Sequence, residues 1–176
     1  MTKVLVVVYS YTGTGRRLAQ VLCAQQGWPL SEVIELRSRI KGVRGTWRCV
    51  LDSMLRRRPR VFCDGAAPER YEAVVLIAPI WIGRMAGPMR SFVAMHKPAL
   101  RNTALITVMG SRGAAAAAAE FTRLTGHDPM LQMAVTTREV DDGSFAARLQ
   151  AFGTTFKAAL EPSSPLRPTF LSPQAA

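Results

Sequence analysis

Residues 4–8 form an unbroken aliphatic run, Val4-Leu5-Val6-Val7-Val8, and the loop that follows limits the choice of fold severely. A strand without polar alternation is apolar on both faces. It belongs in the centre of a parallel sheet that is covered on both sides. The run ends in Tyr9-Ser10-Tyr11-Thr12-Gly13-Thr14-Gly15, and a helical pattern continues from Gly15 to Gln26 with Leu18, Val21 and Leu22 inward. The loop has the chemistry of an anion cradle. Ser10, Thr12 and Thr14 offer hydroxyl donors, while Gly13 and Gly15 let backbone N–H groups approach closely. The helix start adds unpaired N–H groups and the positive end of a dipole.

The same alternation recurs along the chain. Short strands are expected at Ser31–Leu36, Ala73–Ala78, Thr103–Met109 and Leu131–Thr137. Helices are expected at 46–55, from Pro88 to Met95, over the alanine-rich Ala114–Leu124, and from Ser144 to Leu160. Pro79 to Gly87 reads as a loop, as does Gly110-Ser111-Arg112-Gly113. Alternating β and α elements imply a parallel sheet with right-handed crossovers and helices on both faces. Ligands of such sheets bind beyond the carboxyl ends of the strands, where three loops fall: 10–15, 79–87 and 110–113. Residues 1–160 read as one domain. The stretch 161–176, with Pro162, Pro165, Pro168 and Pro173 and no periodicity, reads as a flexible tail.

Composition narrows the class. At 48% hydrophobic residues the chain is not a disordered one. No apolar run is long enough to span a membrane, and the run at Val4 leads straight into a loop, unlike a signal peptide. Cys23, Cys49 and Cys63 show no paired spacing, so reduced thiols and a cytoplasmic location are expected. Two histidines give a metal site little support. The net charge of +11 implies attraction to something acidic. Much of it lies at 37–60, where nine Lys and Arg residues face the single acid Asp52. That segment suits an acidic partner protein, with a membrane surface as the alternative because Trp47, Val50, Leu51 and Met54 interleave with the arginines. Nucleic acid is disfavoured, since no recognised module is present.

A P-loop requires a lysine that does not follow Gly15. A dinucleotide site would use Gly13 and Gly15, with Glu35 as the ribose acid, but Leu18 stands where its third glycine belongs. The nucleophile-elbow pattern of α/β-hydrolases is absent.

The run Ser10-Tyr11-Thr12-Gly13-Thr14-Gly15 resembles the phosphate loop of the flavodoxin family, and Pro79-Ile80-Trp81-Ile82-Gly83-Arg84 is similar to the segment after that family's third strand. The resemblance covers roughly residues 3–160. It implies a three-layer α/β/α sandwich with a five-stranded parallel sheet in the order 2-1-3-4-5, and bound FMN. It places the phosphate on residues 10–15, the flavin ring beside Pro79, Ile80, Trp81, Ile82 and Gly83, and further contacts at Gly110, Ser111 and Gly113. Gly15 departs from the pattern, standing where the family usually has threonine. The 110–113 loop lacks the tyrosine that covers the second flavin face in many electron carriers. This departure tilts the expectation towards an FMN-dependent NAD(P)H oxidoreductase, open to nicotinamide or a quinone, over a pure carrier. No catalytic acid or base is expected from the chain. The alternative is a flavodoxin-like binding module that uses its basic 37–60 segment, with flavin weak or absent.

Overall fold

The computed structural model describes residues 3–36, 58–110 and 112–161. The helix expected at 46–55, the basic residues 37–57, Cys49, Ser111 and the stretch 162–176 lie outside the described residues.

The elements run β1 (Val4–Val8), α1 (Thr14–Gln26), β2 (Leu30–Glu35), β3 (Val61–Asp64), β4 (Ala73–Trp81), β5 (Arg84–Met85), α2 (Gly87–Met95), β6 (Thr103–Met109), α3 (Ala114–Thr125), β7 (Leu131–Thr136), α4 (Thr137–Asp142) and α5 (Ala146–Leu160). Short 3-10 turns at Pro68–Arg70 and Lys97–Ala99 lead into β4 and β6. The strand order is β3-β2-β1-β4-β6-β7, with β5 paired to β4. Strands β2, β1, β4, β6 and β7 are mutually parallel and follow the expected order 2-1-3-4-5.

Two antiparallel strands extend that sheet. Strand β3 pairs with β2, Val33 opposite Cys63. It is a four-residue edge strand whose Val61 is buried while Phe62 faces out, and an antiparallel edge on a parallel sheet is common. The other is β5, which turns part of the expected 79–87 loop into a hairpin. Ile80 and Trp81 are good strand formers, so β4 runs on past Ala78 and pairs with Met85 and Arg84. Ile82 and Gly83 make the two-residue turn with φ of 48° and 67°. Positive φ at both central residues is the signature of a type I′ hairpin turn, whose twist matches its strands.

Alternation along β1 sorts the core into two layers. Val4, Val6 and Val8 pack with Leu18 and Leu22 of α1 and Phe152 and Phe156 of α5. Leu5, Val7 and Tyr9 face the other way, toward Met89 and Phe92 of α2 and Phe121 of α3. The sheet is therefore the middle of three layers, and its centre is dry: Leu5, Val6, Val7 and Val8 are fully buried. Burying a side chain of this size is worth about 1.5–3 kcal/mol, which explains why β1 tolerates no polar residue. Among the described residues no helix is long and apolar enough to cross a membrane.

Helix α4 was not expected. Its N-cap, Thr136, accepts a hydrogen bond from the N–H of Glu139, whose carboxylate accepts from the N–H and hydroxyl of Thr136 at 2.7 and 2.8 Å. This reciprocal capping box stops β7 at Thr136 and makes Thr137 the first helical residue.

Candidate functional site

A cleft opens at the carboxyl ends of β1, β4 and β6. Its floor is the loop after β1: Ser10, Tyr11, Thr12, Thr14 and Gly15 line it. Gly13 does not line it but shapes it. It is the N-cap of α1 in the left-handed region, with φ of 95°, and its N–H donates to Ser10 Oγ at 3.1 Å. Thr12 and Thr14 bring their hydroxyl oxygens to 3.2 Å from each other. No side chain caps α1 and no acid occupies its first turn. The first N–H groups of an α-helix have no partner within it, so the α1 dipole meets the hydroxyls of this loop with nothing negative between them.

Arg16 sits beside this loop but is engaged elsewhere. Its guanidinium forms a two-pronged pair with Glu32 within β2, at 3.1 Å from Nε and 2.5 Å from Nη2. That hydrogen bond, with the charge of Glu32, raises the Arg16 pKa further.

The second wall comes from the hairpin. Pro79, Ile80 and Trp81 line the cleft. Ile82 and Gly83 do not, serving as the turn that returns the chain. Trp81 is flanked edge-on by two tyrosines, with centroid distances of 5.8 Å to Tyr9 and 6.1 Å to Tyr11. Edge-to-face contact is the favoured arrangement for such rings. Tyr9 is itself buried, and its hydroxyl donates to Glu35 Oε1 at 2.7 Å. Glu35 is thus a buried acceptor for Tyr9 and not an acid presented to a ribose, which removes the support it lent to a dinucleotide site.

The third wall is the end of β6 with the start of α4: Val108, Met109, Gly110 and Thr137. Gly113 stands behind this wall and presses on the hairpin turn. A Cβ on it would meet Ile80 Cγ2 at 2.9 Å.

Tyr9, Val108, Met109 and Thr137 are site residues that sequence reasoning missed. Val108 and Met109 follow from the rule that ligands sit beyond strand ends. The T-x-x-E spacing of Thr136 and Glu139 announces the helix that brings in Thr137. Tyr9 is the one polar-tipped residue closing an otherwise aliphatic strand.

No family model and no curated protein sequence matches the chain. Solved structures do. A flavoprotein from Lactobacillus acidophilus in complex with FMN matches with a TM-score of 0.67 and 19% identity, over 82% of this chain and 99% of that one. The Fusobacterium nucleatum flavodoxin bound to flavin mononucleotide matches with a TM-score of 0.55 and 8% identity, over 92% of this chain and 100% of that one. Oxidised flavodoxin 1 from Bacillus cereus matches with a TM-score of 0.52 and 12% identity, over 91% and 100%. Strand order, layering and these matches agree that the chain adopts the flavodoxin-like α/β fold.

Proposed function

We propose that the chain is an FMN-binding redox protein and that residues 1–160 form its flavin domain. The observation that carries this reading is the meeting of two unlike halves in one cleft: the hydroxyl-and-N–H loop at the start of α1, and Trp81 on its hairpin.

The residues present fit the group. A terminal phosphate needs donors and a positive field, and Ser10, Thr12, Thr14 and the α1 terminus supply both. Each hydrogen bond to a charged group is worth roughly 1.5–3 kcal/mol. Because Arg16 is held by Glu32, the phosphate rests on neutral donors. Ile80, Trp81, Val108 and Met109 offer the apolar walls that a flat ring requires. Among the described residues no carboxylate lines the cleft to repel an anion. Its cavity volume is about 240 Å³, just under the roughly 300–1,000 Å³ usual for ligand pockets.

When bound, FMN supplies electron and hydride chemistry that no side chain provides. The chain's own part is to bind, orient and keep water away. Trp81 holds the ring, and Tyr9 and Tyr11 hold Trp81. The loop 110–113 contains no aromatic residue, so nothing in it covers a second ring face. That favours an oxidoreductase taking electrons from a reduced nicotinamide or a reductase, and passing them to a quinone or a partner protein of acidic character. Burial pushes the Cys23 thiol up to about 11 and raises Cys63 as well, so neither is poised as a nucleophile.

The test is colour. Purified protein should absorb in the flavin bands and release FMN on denaturation. Colourless protein that takes up no added FMN overturns the reading. Oxidation of NAD(P)H by the loaded protein, with and without a quinone, then separates an enzyme from a carrier. Trp81→Ala should weaken FMN binding or shift the flavin potential.

A further inference from the structure

Strand β5 is two residues long, yet its Met85 is gripped on both sides of the backbone. The Met85 N–H donates to Glu120 Oε2 at 3.1 Å, and its carbonyl accepts from Arg90 Nη2 at 2.9 Å. Arg90 Nε and Glu120 Oε1 lie 3.2 Å apart. Arg90 comes from α2 and Glu120 from α3, so two helices on one face of the sheet hold a single hairpin residue. All three residues are buried, with Arg90 2% and Glu120 5% exposed.

Stability alone does not explain this pair. Moving two charges out of water is so costly that apolar replacements of similar volume are often neutral or stabilising. What a buried pair with fixed geometry supplies is position. Met85 faces Ile80 in the hairpin register, and the next pair along is Trp81 with Arg84. Fixing Met85 therefore fixes Ile80 and Trp81, two residues of the cleft wall, against Tyr9 and Tyr11. The phosphate end is built separately by α1 and the 10–15 loop, where Thr12 meets Thr14 and the Gly13 N–H donates to Ser10 Oγ.

We propose that Arg90 and Glu120 are positioning residues for the flavin-ring wall: through Met85 they set the place and orientation of Trp81. This rests on the reading of the cleft as an FMN site. It carries an asymmetry that a general loss of stability would not. Disturbing the pair weakens the ring end and leaves the phosphate end intact.

The experiment uses the full chain with Glu120→Gln, and with Arg90→Met and Glu120→Gln combined, which removes both charges of the pair together. Two readouts are taken on the apoprotein by NMR: hydrogen exchange at the Met85 amide, and the Trp81 indole resonance, assigned with Trp81→Phe. Two more are taken with ligand: affinity for FMN against riboflavin, which lacks the phosphate, and the midpoint potential of bound FMN. In folded variants Met85 exchange should accelerate by about tenfold and the Trp81 resonance should move. FMN and riboflavin should weaken by the same factor, about tenfold, and the potential should shift. An unmoved Trp81 resonance with unchanged Met85 exchange overturns the proposal, as does weakening of FMN without riboflavin. Failure of both variants to fold also overturns it, since a positional pair replaced by neutral groups leaves the core standing. If the wild-type chain binds neither flavin, the FMN reading falls, and the two apoprotein measurements still decide the role of the pair.

Discussion

Gly113 packs directly on Gly83, so that a Cβ placed on Gly113 would stand 2.8 Å from the Gly83 Cα. The loop after β6 is thereby seated on the turn of the β4–β5 hairpin, and two walls of the cleft become one unit. Gly113 also has φ of 117°, a region closed to side chains without strain. Gly113→Ala should therefore lower stability by roughly 1–3 kcal/mol and weaken FMN binding as the walls part. Gly126→Ala is the control. Gly126 has φ of 87°, but a Cβ placed on it would meet only the Lys97 Nζ, at 4.0 Å, away from the cleft. It should destabilise without touching flavin affinity. Denaturant unfolding and FMN titration of the two variants check this. Equal effects on FMN would mean that the glycine contact does not shape the cleft.

Ile82 is the opposite case. It is a β-branched residue at φ of 48°, exposed at the tip of the same hairpin. A branched side chain in the left-handed region is strained by about 1–2 kcal/mol, and an asparagine followed by glycine is the preferred sequence for a type I′ turn. Ile82→Asn should raise the unfolding free energy by about 1 kcal/mol. Because Ile82 does not line the cleft, FMN affinity should hold. A drop in affinity with stability unchanged would place the Ile82 side chain in contact with the flavin.

These two turns mark where the sequence was legible and where it was not. Strand β6 and helix α3 were readable to within a residue, because periodicity and burial agree along their whole length. The loop from Ser10 to Gly13 was readable as a cleft-lining turn because hydroxyls and glycines break the pattern between an apolar strand and a helix. Trp81, expected beside a flavin ring, lines the cleft, but its hairpin was not foreseen. Ile82 has no turn propensity, and the pairing of β5 depends on Arg90 and Glu120, which lie 5 and 35 residues from Met85. Strand β3 escaped for a similar reason, being defined by its partner β2 more than by its four residues. The grip on Met85 is a tertiary fact with no local signature. The capping box before α4 does carry a local signature, the T-x-x-E spacing of Thr136 and Glu139.

Glu139 makes that box sensitive to acid. Hydrogen bonds from the Thr136 N–H and hydroxyl, helped by the charge of Arg148, hold its carboxyl below the ordinary range. A group whose pKa is depressed by folding stabilises fully above its unfolded value, about 4.3 for a glutamate. That contribution is lost as pH falls through the folded value. Glu139→Gln keeps an acceptor for the Thr136 N–H but cannot ionise. Wild type should therefore exceed this variant in melting temperature at pH 7, and the gap should close as the pH is taken below about 4. Thr136→Ala, which removes the cap, should cost about 1 kcal/mol at pH 7. A wild-type advantage over Glu139→Gln that persists undiminished at pH 3 would show that the charge of Glu139 contributes nothing to the fold.

The phosphate end can be probed by adding a group instead of removing one. Gly15 lies in the first turn of α1 and lines the cleft. A Cβ there would sit 3.4 Å from the Tyr9 carbonyl oxygen and 3.5 Å from Ser10 Cβ and Oγ. These are ordinary contacts, so serine fits without moving the backbone, while the extra methyl of threonine must find room in the same tight corner. Serine also suits a helix better than glycine by a few tenths of a kcal/mol. Its hydroxyl would join those of Ser10, Thr12 and Thr14 around the helix start. Arg16, held by Glu32, is not available to compensate for what Gly15 lacks. Gly15→Ser should therefore tighten FMN by about 1 kcal/mol, roughly fivefold, and leave riboflavin, which has no phosphate, unchanged. Titration of both ligands against both proteins decides the matter. A gain for riboflavin equal to that for FMN would mean that the loop from Ser10 to Gly15 does not hold the phosphate.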